Sequence, residues 1–256
     1  MNNYIKNKEE IACMRRVGKM AAQTLEMIGQ YVIEGVSTNE LNDRCHDYIT
    51  KTLHAIPAPL NYKGFPKSIC TSINEEVCHG IPSEKKLANG DIVNLDVTVI
   101  FEGFHGDTSK MFTVGTPTKK SKKLIEDTYK ALWLGIKKAK HGARIGDIGD
   151  VISRYAASQG LSVVQEYCGH GIGRKFHEYP NVLHFGNAGE GEMLYEGMTI
   201  TIEPMLNIGK RNVMVLEDDW TVVTKDGTLS AQWEHTILIT KSKAEVLTLR
   251  NDECLN

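Results

Sequence analysis

Apolar residues recur along the chain at two spacings, one typical of helices and the other typical of strands. Over residues 7–31 the spacing is three or four, which predicts an amphipathic helix. Asn7 can cap this helix with Glu10 completing a capping box, and Ser37 with Glu40 repeats the pattern before a second helix. Further helices are predicted near Ser121–Lys140 and from about Asp147 onward.

Strict alternation of apolar and polar residues predicts strands, most clearly over Val93–Phe112. Apolar side chains alternate through its first part and Gly103 falls near its centre, which is typical of a β-hairpin. In such a hairpin Asp107 lies within about two residues of Asp96 across the ladder, where like charges destabilise the pairing. Further strands are predicted at Ser162–Tyr167, Met198–Met205 and Ala231–Thr240.

A faint internal repeat relates two distant parts of the chain. Residues 87–96 align with residues 194–203 at an offset of 107, so that Asp96 corresponds to Glu203. The same offset also aligns one helical segment with another. We therefore predict two related α+β halves, and pairing about a pseudo-twofold axis would bring Asp96 and Glu203 face to face.

Length and composition narrow the class of protein. The chain has 256 residues, of which 41% are apolar, and the simplest interpretation is one domain over 1–256 with halves at roughly 1–115 and 116–256. A formal net charge of -2 gives no reason to expect nucleic acid or an anionic membrane as a partner. The six cysteines form no C-x-x-C pair, and no secretory signal or membrane-span pattern is present, so we predict reduced thiols and a cytoplasmic location.

Four acids occur in or beside β-rich stretches, where acids are depleted: Asp96, Asp107, Glu203 and Glu234. One such acid alone is most simply a solvent-exposed residue, but two of these four share a repeat position. Two unit charges 4 Å apart repel by roughly 4 kcal/mol at an effective dielectric near 20, so a cluster of four requires a counter-charge. Two divalent cations would bring the cluster close to neutrality. Pro204 indicates that the strand carrying Glu203 ends or reaches a sheet edge there.

Histidines add to this candidate site. His170 and His177 lie in one Gly-rich loop, and His79 lies in a similar sequence, although a lone loop histidine is more often solvated than functional. An oxygen-rich site with one imidazole suits Mn, Fe(II) or Co, and also Zn in a catalytic site. A carboxylate-bridged metal pair activates water and polarises a carbonyl or phosphoryl group, which indicates a hydrolase.

With these motifs the chain resembles the type I methionine aminopeptidases, which have the pita-bread fold. The resemblance runs from about Ile5 to Leu249, and its motifs are "SINEEVCHGIP", "NLDV", "GDTS", "GHGIG", "FHEYP", "IEPM" and "AQWEHT". It implies an α+β fold in which two pseudo-twofold-related halves form a central antiparallel sheet covered by helices.

The resemblance also implies roles for individual residues. Two divalent ions, Co, Mn, Fe or Zn, would be held by Asp96, Asp107, His170, Glu203 and Glu234, with Asp107 and Glu234 bridging. The catalytic residues would be Glu203 as proton shuttle, His177 as oxyanion donor and His79 as a contact to the substrate amide. A monovalent cation is expected near Asn74, Glu76 and Ser230.

The implied pocket for a methionine side chain consists of Pro59, Tyr62, Phe65, Cys70, Phe176 and Trp220, together with His79 and His177. Taken without the resemblance, most of these residues would be ordinary core. Three positions depart from the common bacterial pattern, because Pro59 stands for Cys, Lys63 for His and Phe65 for Tyr. These departures affect the pocket rim rather than the reaction.

The resemblance implies a monomeric cytoplasmic enzyme that removes the initiator methionine from nascent polypeptides when the second residue is small. A transient ribosome contact is a further expectation. Three alternatives stay open at this point: a related Xaa-Pro peptidase, a non-catalytic adapter with the same fold, and a dinuclear phosphoesterase. A non-catalytic adapter would be expected to have lost metal ligands. The aromatic pocket positions argue against a phosphate ligand and therefore against a phosphoesterase.

Overall fold

Four α-helices lie in the part of the chain that the computed structural model describes, residues 4–253: α1 Lys8–Gly29, α2 Thr38–Asp47, α3 Lys119–Lys138 and α4 Ile145–Ser158. Both predicted capping boxes are formed. The Asn7 side chain accepts from the Glu10 N–H at 2.9 Å, and the Ser37 hydroxyl accepts from the Glu40 N–H at 3.2 Å. Helix α2 continues as a π-helical turn to Thr52, and α4 begins two residues before the predicted Asp147.

Short strands surround one long hairpin. The strands of the N-terminal part are β1 Ile56–Pro57, β2 Cys70–Ile73, β3 Glu76–Cys78, β4 Ile92–Phe101 and β5 Phe104–Thr113. Those of the C-terminal part are β6 Ser162–Val163, β7 Gly169–Gly171, β8 Glu178–Val182, β9 Thr199–Ile202, β10 Met205–Asn207, β11 Val213–Val215, β12 Val222–Thr224, β13 Ser230–Gln232, β14 His235–Ile239 and β15 Ala244–Val246. The described strands form four sheets. In the first the order is β1-β4-β2, and β5 also pairs with β4. The other three orders are β13-β10-β6, β11-β12-β3 and β15-β14-β9-β7-β8.

The hairpin β4–β5 is continuous over ten residues on each side. Its two-residue turn is Glu102–Gly103, and both residues have positive φ, 50° and 77°, as the twist of a tight hairpin requires. Asp107 pairs with Thr98, which is two positions from Asp96 and on the same face of β4. The predicted proximity of the two aspartates is confirmed.

Two strands that the sequence pattern predicts as continuous are each interrupted. The segment Met198–Met205 splits into β9 and β10 at Glu203 and Pro204, so Pro204 ends a strand as predicted. The segment Ala231–Thr240 splits into β13 and β14 at Trp233 and Glu234. The register Ile202↔His235 on one side and Met205↔Gln232 on the other sets the two breaks opposite each other. Both segments therefore pass from one sheet to another at the same point.

The predicted strand Ser162–Tyr167 was too long. Only Ser162 and Val163 form a strand, β6, which pairs with β10. The apolar side chain of Val164 packs instead in a small cluster with Met205 and Val222. Burial of apolar residues beyond a strand end produces the same sequence pattern as the strand itself, which explains the error.

Helices cover one face of the sheets and leave the acids on the other. Met14 and Val17 of α1 pack in one core with Leu95 and Val97 of β4, and all four are fully buried. Because side chains alternate along β4, Asp96 lies on the face away from α1. A second core joins α3 and α4 to the β9 sheet. The division of the chain near residue 115 stays a prediction.

Two further features concern the rest of the chain. None of the helices among residues 4–253 has the length and apolarity that a membrane crossing requires. The cysteines in this range are free thiols, whereas Cys254 lies outside the described residues.

Candidate active site

The first two acids project from the continuous hairpin. Asp107 is 3% exposed, and its Oδ1 accepts a hydrogen bond of 2.7 Å from the Thr98 hydroxyl. Asp96 lies two residues along the same face of β4. Because both strands are fully paired here, the backbone ladder sets the spacing of the two carboxylates.

The other two acids lie at the strand breaks, where the flanking register places Glu203 opposite Glu234. Side chains supply the contacts that a ladder would otherwise make. The Thr201 hydroxyl donates to Glu203 Oε1 at 2.7 Å, and Gln232 Nε2 donates to Oε2 at 3.3 Å. The Glu203 N–H donates to Nε2 of the buried His184 at 3.0 Å.

His170 presents an unprotonated nitrogen to these acids. Its Nδ1 lies 2.9 Å from the Gly171 carbonyl, which can only accept, so Nδ1 carries the proton and Nε2 presents a lone pair. Nε2 lies 3.7 Å from Asp107 Oδ2 and 3.6 Å from Glu203 Oε1. Burial lowers the pKa of His170 to about 3, so these contacts join a neutral ring to carboxylates and are not ion pairs. A lone pair that faces two carboxylates fits a cation between them.

The donor set fits a divalent metal on further grounds. Ligand atoms of Asp107, His170 and Glu234 all lie within 4.8 Å of one another. In the described chain, the buried Asp96 Oδ1 and Glu234 Oε1 have no hydrogen-bond partner. Burial raises the pKa of Asp96 to about 7 and that of Glu203 to about 8, and it also raises the pKa values of Asp107 and Glu234. Without a cation these acids are strongly disfavoured in their charged forms.

One cavity of about 300 Å³ brings the acids and the predicted pocket together. The predicted residues that line it, besides the four acids and His170, are Pro59, Tyr62, Phe65, Cys70, His79, Phe176, His177 and Trp220. A wider groove of about 710 Å³ also borders His177, but the four site acids are not among its lining residues. The metal donors and the aromatic residues therefore share the smaller cavity.

Aromatic rings form part of the wall of the same cavity. Phe65 and Trp220 meet edge to face at 5.1 Å between ring centroids, and Tyr62 lies 4.9 Å from Phe176. The Tyr62 hydroxyl lies 2.9 Å from Nδ1 of His177. Such rings bury large apolar area and suit an apolar or thioether side chain.

Two further histidines border this wall. The His177 ring centroid lies 4.2 Å from that of His170, and His79 lies 6.1 Å from Trp220. Burial lowers the pKa of both His79 and His177 to about 4, which makes both rings neutral at pH 7. Each neutral ring has one donor and one acceptor nitrogen.

Sequence reasoning missed several residues of this site. Thr98, Cys78, Tyr167, Met205 and Gln232 also line the cavity. Two of them carried a usable signal, because Thr98 and Gln232 are each two residues from a site acid in a strand pattern. His184 had none, since its contact with the Glu203 backbone depends on tertiary structure.

The residues expected near a monovalent cation are only partly brought together. The Ser230 N–H donates to the Asn74 carbonyl at 2.9 Å. The Glu76 carboxylate accepts from the Ile73 N–H at 2.7 Å and from Lys85 Nζ at 3.0 Å. Lys85 therefore occupies one oxygen of the Glu76 carboxylate, and the monovalent cation stays a prediction.

The chain is similar over nearly its whole length to metallopeptidases of known sequence and structure. The model of Metallopeptidase family M24 matches residues 12–241. A methionine aminopeptidase of Salmonella typhimurium strain LT2 is 55% identical over 252 residues, covering 98% of this chain and 96% of that protein.

Solved structures agree with this assignment. The crystal structure of methionine aminopeptidase from Rickettsia prowazekii superposes with a TM-score of 0.94 at 54% identity, over 96% of this chain and 99% of that chain. The Thermotoga maritima enzyme superposes with a TM-score of 0.93 at 39% identity, over 95% and 98% of the two chains. The expected α+β pita-bread fold is confirmed. The chain belongs to metallopeptidase family M24, in the group of its methionine aminopeptidases.

Proposed function

We propose that this chain is a metal-dependent aminopeptidase that removes the initiator methionine from nascent polypeptides whose second residue is small. The observation that carries the proposal is a cavity that five metal donors and several aromatic residues line together. Membership in family M24 and the identity of 55% to a methionine aminopeptidase support the same activity. Of the alternatives, a non-catalytic adapter is disfavoured because all five donor positions are retained.

The metal centre consists of Asp96, Asp107, His170, Glu203 and Glu234, and we propose that these five hold two divalent ions, Mn, Fe, Co or Zn. The clustered ligand atoms of Asp107, His170 and Glu234 support such a centre. When bound, the ions supply water activation and polarisation of the peptide carbonyl. A monovalent cation near Asn74 and Ser230, held mostly by backbone carbonyls, is a further part of the proposal.

Glu203 is the proposed proton shuttle. Its side chain is 13% exposed, and Thr201 and Gln232 hold its two carboxylate oxygens in place. A carboxylate held in place in this way can take a proton from water and return it to the leaving amine. The free α-amine of the substrate binds at the Asp96 end of the cavity, since an ammonium group pairs with carboxylate.

The two neutral histidines act on the scissile amide in this proposal. When the Tyr62 hydroxyl donates to Nδ1 of His177, the proton of that ring is on Nε2, which becomes a donor for the developing oxyanion. His79 hydrogen-bonds the substrate amide near the scissile bond. A neutral histidine can fill either role, because it need not first release a proton to solvent. The lowered pKa values of both rings support this.

Substrate choice follows from the shape and chemistry of the cavity. Tyr62, Phe65, Cys70, Phe176 and Trp220 surround the methionine side chain, because thioether sulfur contacts aromatic rings favourably. A cavity of about 300 Å³ leaves little room for a large second residue. We also propose a monomeric, single-domain cytoplasmic enzyme that contacts the ribosome transiently.

A turnover assay on methionyl peptides tests the proposal. Met-Ala-, Met-Gly- and Met-Ser-peptides should be cleaved, Met-Leu- and Met-Lys-peptides poorly, and N-acetylated peptides not at all. Exhaustive chelation should abolish cleavage, and Mn(II), Fe(II) or Co(II) should restore it. Full activity in the metal-free enzyme would refute the metal-dependent mechanism, and equal rates on Met-Ala and Met-Lys peptides would refute the size limit.

A further inference from the structure

Arg250 is a fully buried cation in the C-terminal segment 248–253. Its side chain has no exposed surface, and the guanidinium lies 5.6 Å from the centroid of the Trp233 ring. Trp233 immediately precedes the site acid Glu234. A buried charge requires compensating hydrogen bonds, so the partners of Arg250 indicate what it holds.

One arm of the guanidinium reaches the residue after Asp107. Nη1 donates to the Thr108 hydroxyl at 2.8 Å, and that hydroxyl in turn donates to the Glu234 carbonyl at 2.7 Å. The same nitrogen lies 3.5 Å from the Ser109 carbonyl, which accepts from the Glu234 N–H at 3.3 Å. This arm therefore ends where β5 meets the break between β13 and β14.

The other arm reaches the residue after Glu234. Nη2 donates to Glu253 Oε1 at 2.7 Å and lies 3.3 Å from His235 Nε2, which is itself 3.3 Å from the same carboxylate oxygen. Nδ1 of His235 lies 2.9 Å from the Thr248 hydroxyl, so Arg250, Glu253 and Thr248 together enclose the ring of the residue after Glu234. Glu253 Oε2 also accepts from the backbone N–H of Arg250 at 3.1 Å. The two residues, three apart in sequence, are therefore joined through both the side chain and the backbone of Arg250.

We propose that Arg250, locked by Glu253, is a positioning residue for the metal centre. It binds the residue that follows each of the two acids assigned as bridges, and so sets the distance between Asp107 on β5 and Glu234 at the strand break. These two acids come from the two sequence halves and repel each other, and the link holds them at one spacing. This inference rests on the proposed function in that the same acids hold the metals.

The planar fork of arginine is essential to this arrangement. A lysine at position 250 would keep the charge but could not reach Thr108, His235 and Glu253 together, because its donors lie on a single atom. Loss of partners behind metal ligands typically weakens metal affinity by about 10- to 100-fold. We expect a value near the lower end, because Arg250 acts through Thr108 and His235 rather than on the carboxylates.

Co(II) binding to the full chain tests the inference without any peptide. The affinity is measured by competition with a chelator, and the visible absorption of bound Co(II) reports the ligand geometry. The variants are Arg250→Lys and Thr108→Val, and the latter removes the link while retaining the arginine charge. Arg15→Lys is the control, since Arg15 makes a comparable two-bond contact with exposed Glu245, at 2.7 Å for each bond.

Both test variants should bind Co(II) on the order of 10-fold more weakly and shift its absorption, while the control matches the wild type. Unchanged affinity and spectrum in the two folded variants, with only a lower melting temperature, would overturn the inference and make Arg250 a purely structural ion pair. Failure of the proposed function can be recognised separately. A protein that binds Co(II) as described but cleaves no methionyl peptide would refute the proposed function and leave the inference about Arg250 standing.

Discussion

The two halves of the chain present their acids by different means. Asp96 and Asp107 project from an uninterrupted hairpin with ten paired residues on each strand. Glu203 and Glu234 lie at breaks where two neighbouring strands leave one sheet and join another. The repeat that relates Asp96 to Glu203 in sequence therefore does not extend to how the backbone holds them.

This difference changes what fixes each carboxylate. In the hairpin the ladder of backbone hydrogen bonds sets the position of the acids. Thr98 adds a bond to the Asp107 carboxylate, and the Thr236 hydroxyl bonds the Asp107 backbone. At the breaks the ladder is missing, so Thr201, Gln232 and His184 hold Glu203. We infer that ligands at the breaks depend more strongly on neighbouring side chains.

The largest expected effect is the loss of the proton shuttle at a break. Glu203→Gln keeps the size of the side chain but removes its basicity. General acid–base steps contribute about 10²- to 10⁴-fold, and Glu203 is also a proposed ligand, so kcat should fall by at least the upper value. The measurement is steady-state cleavage of a Met-Ala peptide.

Glu166→Gln is the matched control, because Glu166 lines the same cavity and pairs with Arg211 rather than with the metal donors. It should retain wild-type kcat. His177→Ala should lower kcat with little change in KM, as expected for a group that acts on the transition state. A Glu203→Gln enzyme with near-normal kcat would contradict the assigned role.

The next effect is metal-linked stability, which should require acids from both halves. A ligand that binds only the folded state stabilises it by about 2.7 kcal/mol at 100 times its dissociation constant. For a chain of this size that is on the order of 5–10 °C in melting temperature. Asp107→Asn should remove most of the Mn(II)-dependent increase at pH 7.5, whereas Asp43→Asn, at an exposed site on α2, should retain it.

The gain from Mn(II) should also shrink at pH 5.5, where protons compete with the metal for carboxylates whose pKa values are raised by burial. A wild-type melting temperature that does not respond to Mn(II) at pH 7.5 would mean that the acids form no shared metal site. In that case neither the hairpin acids nor the acids at the strand breaks would be metal ligands.

Two threonines give a direct test of the difference between ladder and break. Thr98 and Thr201 are both buried, and each donates a hydrogen bond of 2.7 Å to a site acid. The Thr201 hydroxyl also accepts from the His170 N–H at 2.9 Å, a further side-chain support that the hairpin acid lacks. Thr201→Val should weaken Mn(II) binding by about 10-fold or more, while Thr98→Val should have a distinctly smaller effect, because the hairpin backbone still fixes Asp107. Equal losses in the two variants would show that backbone continuity is irrelevant here.

Local features of this fold were predictable because their causes are local. The starts of α1 and α2 follow from capping boxes whose partners are three residues apart. The hairpin follows from alternation and from Gly103 at its turn. The acids were identifiable because carboxylates are rare in strands, and their shared setting indicated one site before any distance was known.

The strand breaks and the supporting side chains were not predictable in the same way. Apolar alternation continues through Glu203 and Glu234, and a pattern with period two does not register a chain that changes sheets; only Pro204 indicated one break. His184 is 19 residues from its partner Glu203, and Arg250 is 142 residues from Thr108. Contacts over such separations depend on the fold and leave no periodic signal.

The smallest expected effect concerns the metal-free protein and its pH dependence. Burial raises the pKa of Glu203, at the break, to about 8, and that of Asp96, on the hairpin, to about 7. Both lie above the value in the unfolded chain, near 4. The folded state therefore binds more protons than the unfolded state over this range, and stability must fall as pH rises toward 8. Histidines whose pKa values are lowered by burial act in the opposite sense, up to about one pH unit above their unfolded-state value near 6.5; they are His79, His105, His170, His177, His184 and His235.

Comparison with a variant that lacks one acid cancels the contribution of the histidines, so the difference in stability between the chelated variant and the chelated wild type reports that acid. Glu203→Gln cannot ionise, so it should melt above the chelated wild type, by a margin that is larger at pH 8 than at pH 6.5. The margin should change by on the order of 1 kcal/mol, or about 2–4 °C in melting temperature. Asp96→Asn should show the same trend with a smaller change, since the hairpin acid has the lower pKa. A margin for Glu203→Gln that is the same at pH 6.5 and pH 8 would mean that the buried acids are not disfavoured in their charged forms, and that the two pairs of acids need no cation to coexist.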